Sequence, residues 1–147
     1  MSSNDCSYIL HNLGLGDHII CNGMVRHIYK NNKNIKLFCF SKNKKNVERM
    51  YRDLSNIKLI VINHISEAIA YIKKHNLIKQ TFNSTRFDLS RDNPHKDRQT
   101  GPHDRLWKYI SKGLTFDEAF YRILNLDFSI RFDEFHIERD RSNEYDI

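Results

Sequence analysis

The chain of 147 residues contains no long hydrophobic run, which excludes a membrane-spanning helix. Crossing a bilayer takes about 20 consecutive apolar residues, and no segment approaches that length. The first residues, MSSNDCSYIL, also lack the basic stretch followed by an apolar run that marks a secretory signal. We therefore expect neither export nor membrane anchoring, and we expect a cytoplasmic protein.

Cysteine is scarce and follows no metal-binding or disulfide pattern. The three cysteines, Cys6, Cys21 and Cys39, form an odd set without CxxC spacing. We expect buried free thiols in a reducing compartment. A GxSxG nucleophile motif is also missing, so no Ser-His-Asp hydrolase site is predicted.

Positive charge is in excess, but it is not concentrated in one segment. Lys and Arg number 24 against 18 Asp and Glu, which gives a formal charge of +6. Such an excess suits polyanions, including nucleic acids. The basic stretches KNNKNIK and SKNKKNVER, however, lie between predicted elements, where lysine usually marks a solvated face. We do not expect nucleic acid as a partner.

Three short apolar runs, at residues 7–12, 35–40 and 57–62, predict β-strands. They are continuous rather than alternating, as is typical of a parallel sheet covered by helices on both faces. Helical periodicity occupies residues 17–29, 44–54 and 66–75. With right-handed crossovers, this alternation predicts an α/β fold, a Rossmann-like, doubly wound and mainly parallel sheet in a single domain.

The second half of the chain is less regular. A fourth strand is predicted at 78–82, followed by a long polar loop that contains both prolines. Helices are predicted at 105–112 and 116–124, with Thr115 as N-cap and Glu118 at capping-box spacing. The alternation of Phe128, Ile130 and Phe132 predicts a final extended segment. We divide the chain into a Rossmann-like domain, 1–132, and a charged connector or tail, 133–147.

The stretch LGLGDHIICNG, residues 13–23, joins the first predicted strand to the first helix. In a doubly wound sheet this junction lies at the carboxyl edge, where ligands bind. Gly14 and Gly16 predict a backbone conformation closed to other residues and a close approach by a ligand, and a helix N-terminus attracts anions. Two phosphate motifs are absent: GxGxxG would need glycine where Ile19 stands, and there is no GxxxxGK[ST].

The stretch LGLGDHIICNGMVRHI resembles the opening of GT-B glycosyltransferases similar to the heptosyltransferases of glycosyltransferase family 9. In those enzymes a strand leads through a Gly-x-Gly-Asp or similar turn into a helix. The segment FCFSKNKKNVERMYRDLSNIKLIVIN also fits their second strand, helix and third strand. The resemblance covers residues 7–137 and implies the amino-terminal, acceptor-side half of a GT-B architecture.

The resemblance implies an inverting transfer of a sugar from a nucleotide-sugar donor to an acceptor hydroxyl, with Asp17 as the base. It implies no other cofactor. A sugar or glycan acceptor is the expected partner, and the donor would be held by a second GT-B domain or a partner chain. Without such a second domain, we expect Asp17 to face water and to remain an ordinary weak base. Two alternatives stay open: Asp17 as a first-turn carboxylate that only stabilises its helix, and a non-catalytic nucleotide-, phosphate- or protein-binding domain.

Several residues near the turn are candidates for binding the acceptor or a phosphate. Besides the two glycines they are Asn12, His18, Asn22, Arg26 and His103. His18, Asn22 and Arg26 are spaced four apart and are predicted to share one helix face. Each also has a purely structural interpretation, such as an ion pair for Arg26.

His103 belongs to the loop 91–105, which concentrates histidine, aspartate and basic side chains. We expect this loop to follow the fourth strand and to lie over the carboxyl edge, either as an acceptor-binding segment or as an ordered surface loop. Its ligand spacing is not that of a zinc site, so no metal is predicted.

Overall fold

Four parallel strands form the sheet. A computed structural model describes residues 6–91 and 104–138. Strands β1 (Ser7–Leu10), β2 (Ile35–Phe40), β3 (Ile57–Ile62) and β4 (Thr81–Asn83) lie in the order β3-β2-β1-β4. All three strand pairs are parallel. The predicted α/β fold, a Rossmann-like sheet in a single domain, is confirmed.

Helices connect and cover the strands. Those in the described residues are α1 (Leu15–Ile20), α2 (Asn22–Asn31), α3 (Lys44–Met50), α4 (Ile65–Lys74), α5 (Trp107–Ile110), α6 (Phe116–Arg122) and α7 (Ile130–Asp133). Short 3-10 turns, Ser41–Asn43 and Ile78–Gln80, lead into α3 and β4. In the described ranges, none of these helices has the length and apolar character needed to cross a bilayer. The strands predicted at 35–40 and 57–62 are confirmed, whereas the fourth begins only at Thr81 because a 3-10 turn occupies the residues before it.

The sheet is buried on both faces. On one face Ile9 and Leu37 pack with residues of α2, α3 and α6. On the other face Leu10 and Phe38 pack with residues of α4. This two-sided burial explains why the strands are continuously apolar.

The helix predicted at 17–29 is in fact two helices, because the chain turns at Cys21. The Tyr121 hydroxyl of α6 stabilises this break. It donates a hydrogen bond to the Ile20 carbonyl oxygen at 2.6 Å and accepts one from the Met24 amide at 3.2 Å. A side chain a hundred residues away thus satisfies backbone groups that the turn leaves without helical partners.

The segment after the loop consists of short helices joined by turns. Thr115 is confirmed as the N-cap of α6, since its hydroxyl oxygen accepts a hydrogen bond from the Glu118 amide at 3.2 Å. The extended segment predicted around Phe128–Phe132 is wrong, because residues 130–133 form α7. The Phe128 ring packs against Tyr121 at 5.7 Å between centroids, and α7 lies so close to α2 that a Cβ at Gly23 would stand 3.0 Å from the Arg131 carbonyl oxygen. Tertiary packing therefore overrides the alternating pattern.

The first residues of the predicted connector lie against α2. Lys30 and Glu134 form an ion pair at 2.6 Å, and the His136 amide donates a hydrogen bond to the Asn22 side-chain oxygen at 3.0 Å. Residues 139–147 lie outside the described ranges.

Candidate functional site

The segments that follow the four strands come together at the carboxyl edge of the sheet. Chain order reverses at β1, since β2 and β3 lie to one side of it and β4 to the other. Ligands of open α/β sheets bind outside such a switch point. The structure therefore places the turn after β1 between the segments that follow β2 and β4.

A cavity of about 410 Å³ opens at this edge. Its lining residues are Asn12, Phe40, His64, Ile65, Arg86 and Phe87. We call it the edge cavity. Its volume lies within the range of small-molecule sites, roughly 300–1,000 Å³. Of the residues proposed from sequence, Asn12 belongs to its lining.

The glycines of the turn do not adopt the conformation that we predicted for them. Gly14 has an ordinary extended φ of −67° and is the N-cap of α1, and Gly16 lies within that helix. Leu13 instead takes the left-handed conformation, with φ 71°. Such a φ is costly for a residue with a Cβ, and surrounding contacts must hold it. The Leu13 side chain is fully buried, and its amide donates a hydrogen bond to His11 Nδ1 at 3.0 Å.

Asp17 lies in the first turn of α1, as predicted. Its Oδ2 accepts a hydrogen bond from the Gly14 amide at 3.1 Å, which fixes the carboxylate at the helix start. The side chain is partly buried, so it is less exposed to water than we expected. Burial raises the pKa of the Asp17 carboxyl above its ordinary value, the Gly14 hydrogen bond opposes that effect, and the nearby Asp117 carboxylate adds to it. Asp17 is therefore held at the helix start by a hydrogen bond and is a stronger base than a solvated aspartate.

His18 is fully buried and forms a pair with His11, so its ring does not reach the protein surface. His11 Nδ1 accepts from the Leu13 amide, which leaves the proton of a neutral ring on Nε2. That Nε2 faces His18 Nδ1 at 3.1 Å. Burial lowers the pKa of His11, and it lowers the pKa of His18 to about 4. Both imidazoles are thus neutral near pH 7. Their contacts with each other and with the Leu13 amide stabilise the turn that leads to Asp17.

Asn22 and Arg26 are buried away from the turn. Both terminal nitrogens of Arg26 bind the Asp53 carboxylate at 2.8 Å, and one of them also binds the Met50 carbonyl oxygen. The Asn22 side-chain oxygen accepts a hydrogen bond from the His136 amide. Because the chain turns at Cys21, the structure does not bring Asn22 and Arg26 together with His18. The ion-pair interpretation of Arg26 matches the observed contacts.

His103, the remaining candidate, lies outside the described residues, together with most of the loop 91–105. The flanking residues are described. Arg105 donates to the carbonyl oxygens of Asn83 and Thr85 at 2.9 and 2.8 Å, and so ties the chain after the loop to the turn that follows β4.

Sequence reasoning missed three polar residues at this edge: His11, His64 and Arg86. Each follows the end of a strand by one to three residues, so its place after β1, β3 or β4 was the available signal.

Burial raises the pKa of all three thiols, although Cys6 is only partly buried and not fully buried as expected. Cys21 and Cys39 are fully buried, and burial raises the pKa of Cys39 to about 11. Potential metal ligands meet at Asp53, His136 and Glu138 within the described ranges, but all three are exposed and the Asp53 carboxylate already binds Arg26. We assign no metal to that group.

Comparison with family models, with curated proteins and with solved structures gives no match to this chain. The functional conclusion therefore depends on the geometry of the carboxyl edge and on the residues that the fold gathers there.

Proposed function

We propose that this domain is the acceptor-side half of an inverting GT-B glycosyltransferase. In this proposal it binds a sugar or glycan acceptor at the carboxyl edge, and Asp17 removes the proton from the attacking hydroxyl. The donor is a nucleotide-sugar, held by a second GT-B domain or a partner chain, and no other cofactor takes part.

The observation that carries the proposal is the environment of Asp17. The carboxylate is fixed by the Gly14 amide at the start of α1, the helix that follows the inner strand β1, and burial raises its pKa. A general base works best when its pKa lies nearer the working pH, and a fixed position reduces the entropy lost in the reaction. Closure of a second domain over this edge would bury Asp17 further and raise its pKa in the same direction.

The acceptor oxygen attacks the anomeric carbon from the face opposite the nucleotide, the bond to the nucleoside diphosphate breaks, and the proton of the hydroxyl passes to Asp17. One displacement inverts the anomeric configuration. The turn that holds Asp17 is braced by Leu13 and by the neutral His11–His18 pair, none of which takes up a proton in this step.

The proposal also places the protein in the cytoplasm, where nucleotide-sugars are made. Three free cysteines, two of them buried, are compatible with a reducing compartment.

Asp17→Asn tests the proposal. Asparagine keeps an oxygen that can accept from the Gly14 amide, but it cannot take a proton. The full chain is first screened by thermal shift against nucleotide-sugars and candidate acceptors, and released nucleoside diphosphate is then measured with the pairs that bind. If the chain alone shows no turnover, the assay is repeated with its second domain or partner.

Asp17→Asn should lower turnover by about 10²- to 10⁴-fold, the range typical of a lost general base. Glu67→Gln, which removes a carboxylate from the equivalent position of α4, is the matched control and should leave turnover unchanged. Unchanged turnover of Asp17→Asn would remove the catalytic assignment. Failure of every nucleotide-sugar and acceptor to bind would remove the sugar-transfer proposal itself.

A further inference from the structure

We propose that the edge cavity binds a phosphate monoester carried on a small ring, that is, a mononucleotide or a sugar phosphate. Its lining combines polar side chains that offer hydrogen-bond donors with apolar side chains. It does not depend on the proposed sugar transfer, since Asp17 is not among its lining residues.

Arg86 supplies the main positive charge. Its side chain is about one third exposed, and its Nε lies 3.9 Å from Asp104 Oδ2. Both terminal guanidinium nitrogens lack a hydrogen-bond partner among the described residues. A planar fork of donors at the mouth of a cavity matches two oxygens of a phosphate group.

His64 also lines the cavity and supplies a second donor. As the N-cap of α4, its Nδ1 accepts a hydrogen bond from the Ser66 amide at 3.2 Å. In the neutral ring the proton therefore resides on Nε2, for which the described residues provide no partner. The Asn12 amide, which also lines the cavity, makes no side-chain hydrogen bond within the described part of the chain.

The remaining lining is apolar and suits a ring. Phe40, Ile65 and Phe87 contribute carbon surface, and Lys42 Nζ lies 5.8 Å from the centre of the Phe40 ring, which adds a second positive charge nearby. A phosphate at Arg86 and a ring against these side chains would use both halves of the lining. Volume and lining therefore favour a mononucleotide or sugar phosphate over inorganic phosphate alone.

Two carboxylates near the cavity are already engaged. Asp104 Oδ1 accepts from the Leu106 amide, and Glu67 accepts from the amides of Asn63 and His64 at the start of α4. Neither binds the terminal nitrogens of Arg86. The phosphate would therefore not have to displace a bidentate ion pair of the kind that occupies Arg26.

Isothermal titration of the full chain with four probes tests the proposal: uridine monophosphate, glucose 6-phosphate, inorganic phosphate and uridine. At least one phosphorylated ring should bind, and the stronger of the two identifies the ligand class. Inorganic phosphate should bind at least about tenfold more weakly. Uridine should be weakened to a similar degree, because it lacks the phosphate that makes the charge-assisted contacts.

Two variants and two controls sharpen the test. Arg86→Gln should weaken binding by about tenfold or more. His64→Asn keeps a good N-cap for α4 but withdraws the Nε2 donor, and it should weaken binding by several-fold. Arg122→Gln, an exposed cation on α6, and Asp17→Asn should leave binding unchanged, and circular dichroism confirms folding of each variant.

Absence of binding by both phosphorylated rings would overturn the proposal. Unchanged affinity in Arg86→Gln would also overturn it. If Arg86→Gln does not fold, unchanged affinity in His64→Asn would overturn it instead. Weakened binding in Asp17→Asn would overturn the claim that binding in the edge cavity is independent of Asp17. Loss of turnover in Asp17→Asn together with unaltered binding would leave both proposals standing.

Discussion

The turns that lead from β1 into α1 and from β3 into α4 are built alike and differ in their surroundings. Each places a carboxylate at the third helical position: Asp17 accepts from the amide of the N-cap Gly14, and Glu67 accepts from the amide of the N-cap His64. Asp17 is partly buried, whereas Glu67 is fully exposed. The same local geometry therefore occurs in two environments that differ in their exposure to water.

The two carboxyl groups shift in opposite directions as a result. Hydrogen bonds from Asn63 and His64 lower the pKa of Glu67, while burial raises the pKa of Asp17 despite its hydrogen bond from Gly14. A capping pattern thus fixes where a carboxylate lies but not what it can do. The candidate base belongs to the turn that is packed into the core.

Packing beneath the two turns should give the largest difference between them. Leu13 and Asn63 each precede the N-cap, but Leu13 is fully buried and Asn63 is exposed. Leu13→Ala should lower the free energy of unfolding by about 2–5 kcal/mol because it leaves a cavity in the core. Asn63→Ala should change it by about 0.5 kcal/mol or less.

Urea denaturation of both variants measures this difference. Equal losses in the two variants would show that the first turn is not held by its buried side chain. The left-handed conformation of Leu13 would then need another explanation.

The buried imidazoles beneath the first turn should make the protein sensitive to acid. The pKa of His18 is about 4 in the folded protein against an ordinary 6.5, and the pKa of His11 is lowered as well. Below pH 6.5 the unfolded chain therefore binds more protons, and stability is lost as pH falls. For His18 alone the loss between pH 7 and pH 5 is about 2 kcal/mol.

Urea denaturation at pH 7 and pH 5 tests this expectation against His18→Leu. The variant should be less stable at pH 7, since His11 Nε2 loses its acceptor, but its stability should depend less on pH. A steeper pH dependence in the variant would contradict burial of a neutral pair.

Local sequence was sufficient for the parts of the fold that depend on local pattern. β2 and β3 are continuous apolar runs, and Asp17 follows a strand and a glycine turn, so each was found. The break at Cys21 was not predictable, because the Tyr121 hydroxyl that stabilises it comes from α6. The partial burial of Asp17 depends on tertiary packing in the same way.

The edge cavity shows the same limit. Asn12 was a candidate because it ends the first strand, whereas Arg86 and His64 follow strands that gave no glycine signal. Their convergence requires the strand order β3-β2-β1-β4, which periodicity alone does not provide. Parallel strands bring their following residues to one edge, so every polar residue after a predicted strand was a justified candidate.

The smallest predicted effect is also the most direct test of the comparison: at pH 7 Glu67→Gln should lower stability, whereas Asp17→Asn should not. The charged form of Asp17 is disfavoured by folding, so its neutral isostere should be equally stable or more stable by a few tenths of a kcal/mol. The lowered pKa of Glu67 means that its charge stabilises the folded state above pH 4.5, and Glu67→Gln should be less stable than the parent chain.

Differential scanning calorimetry at pH 7 and pH 4 measures both differences, and each should shrink at pH 4 as the carboxyl groups take up protons. Since the acid sensitivity of the histidine pair is common to all three proteins, it cancels in these differences. A shift of the same sign in both variants would mean that the two turns share one electrostatic environment, and Asp17 would lose its distinction as the base.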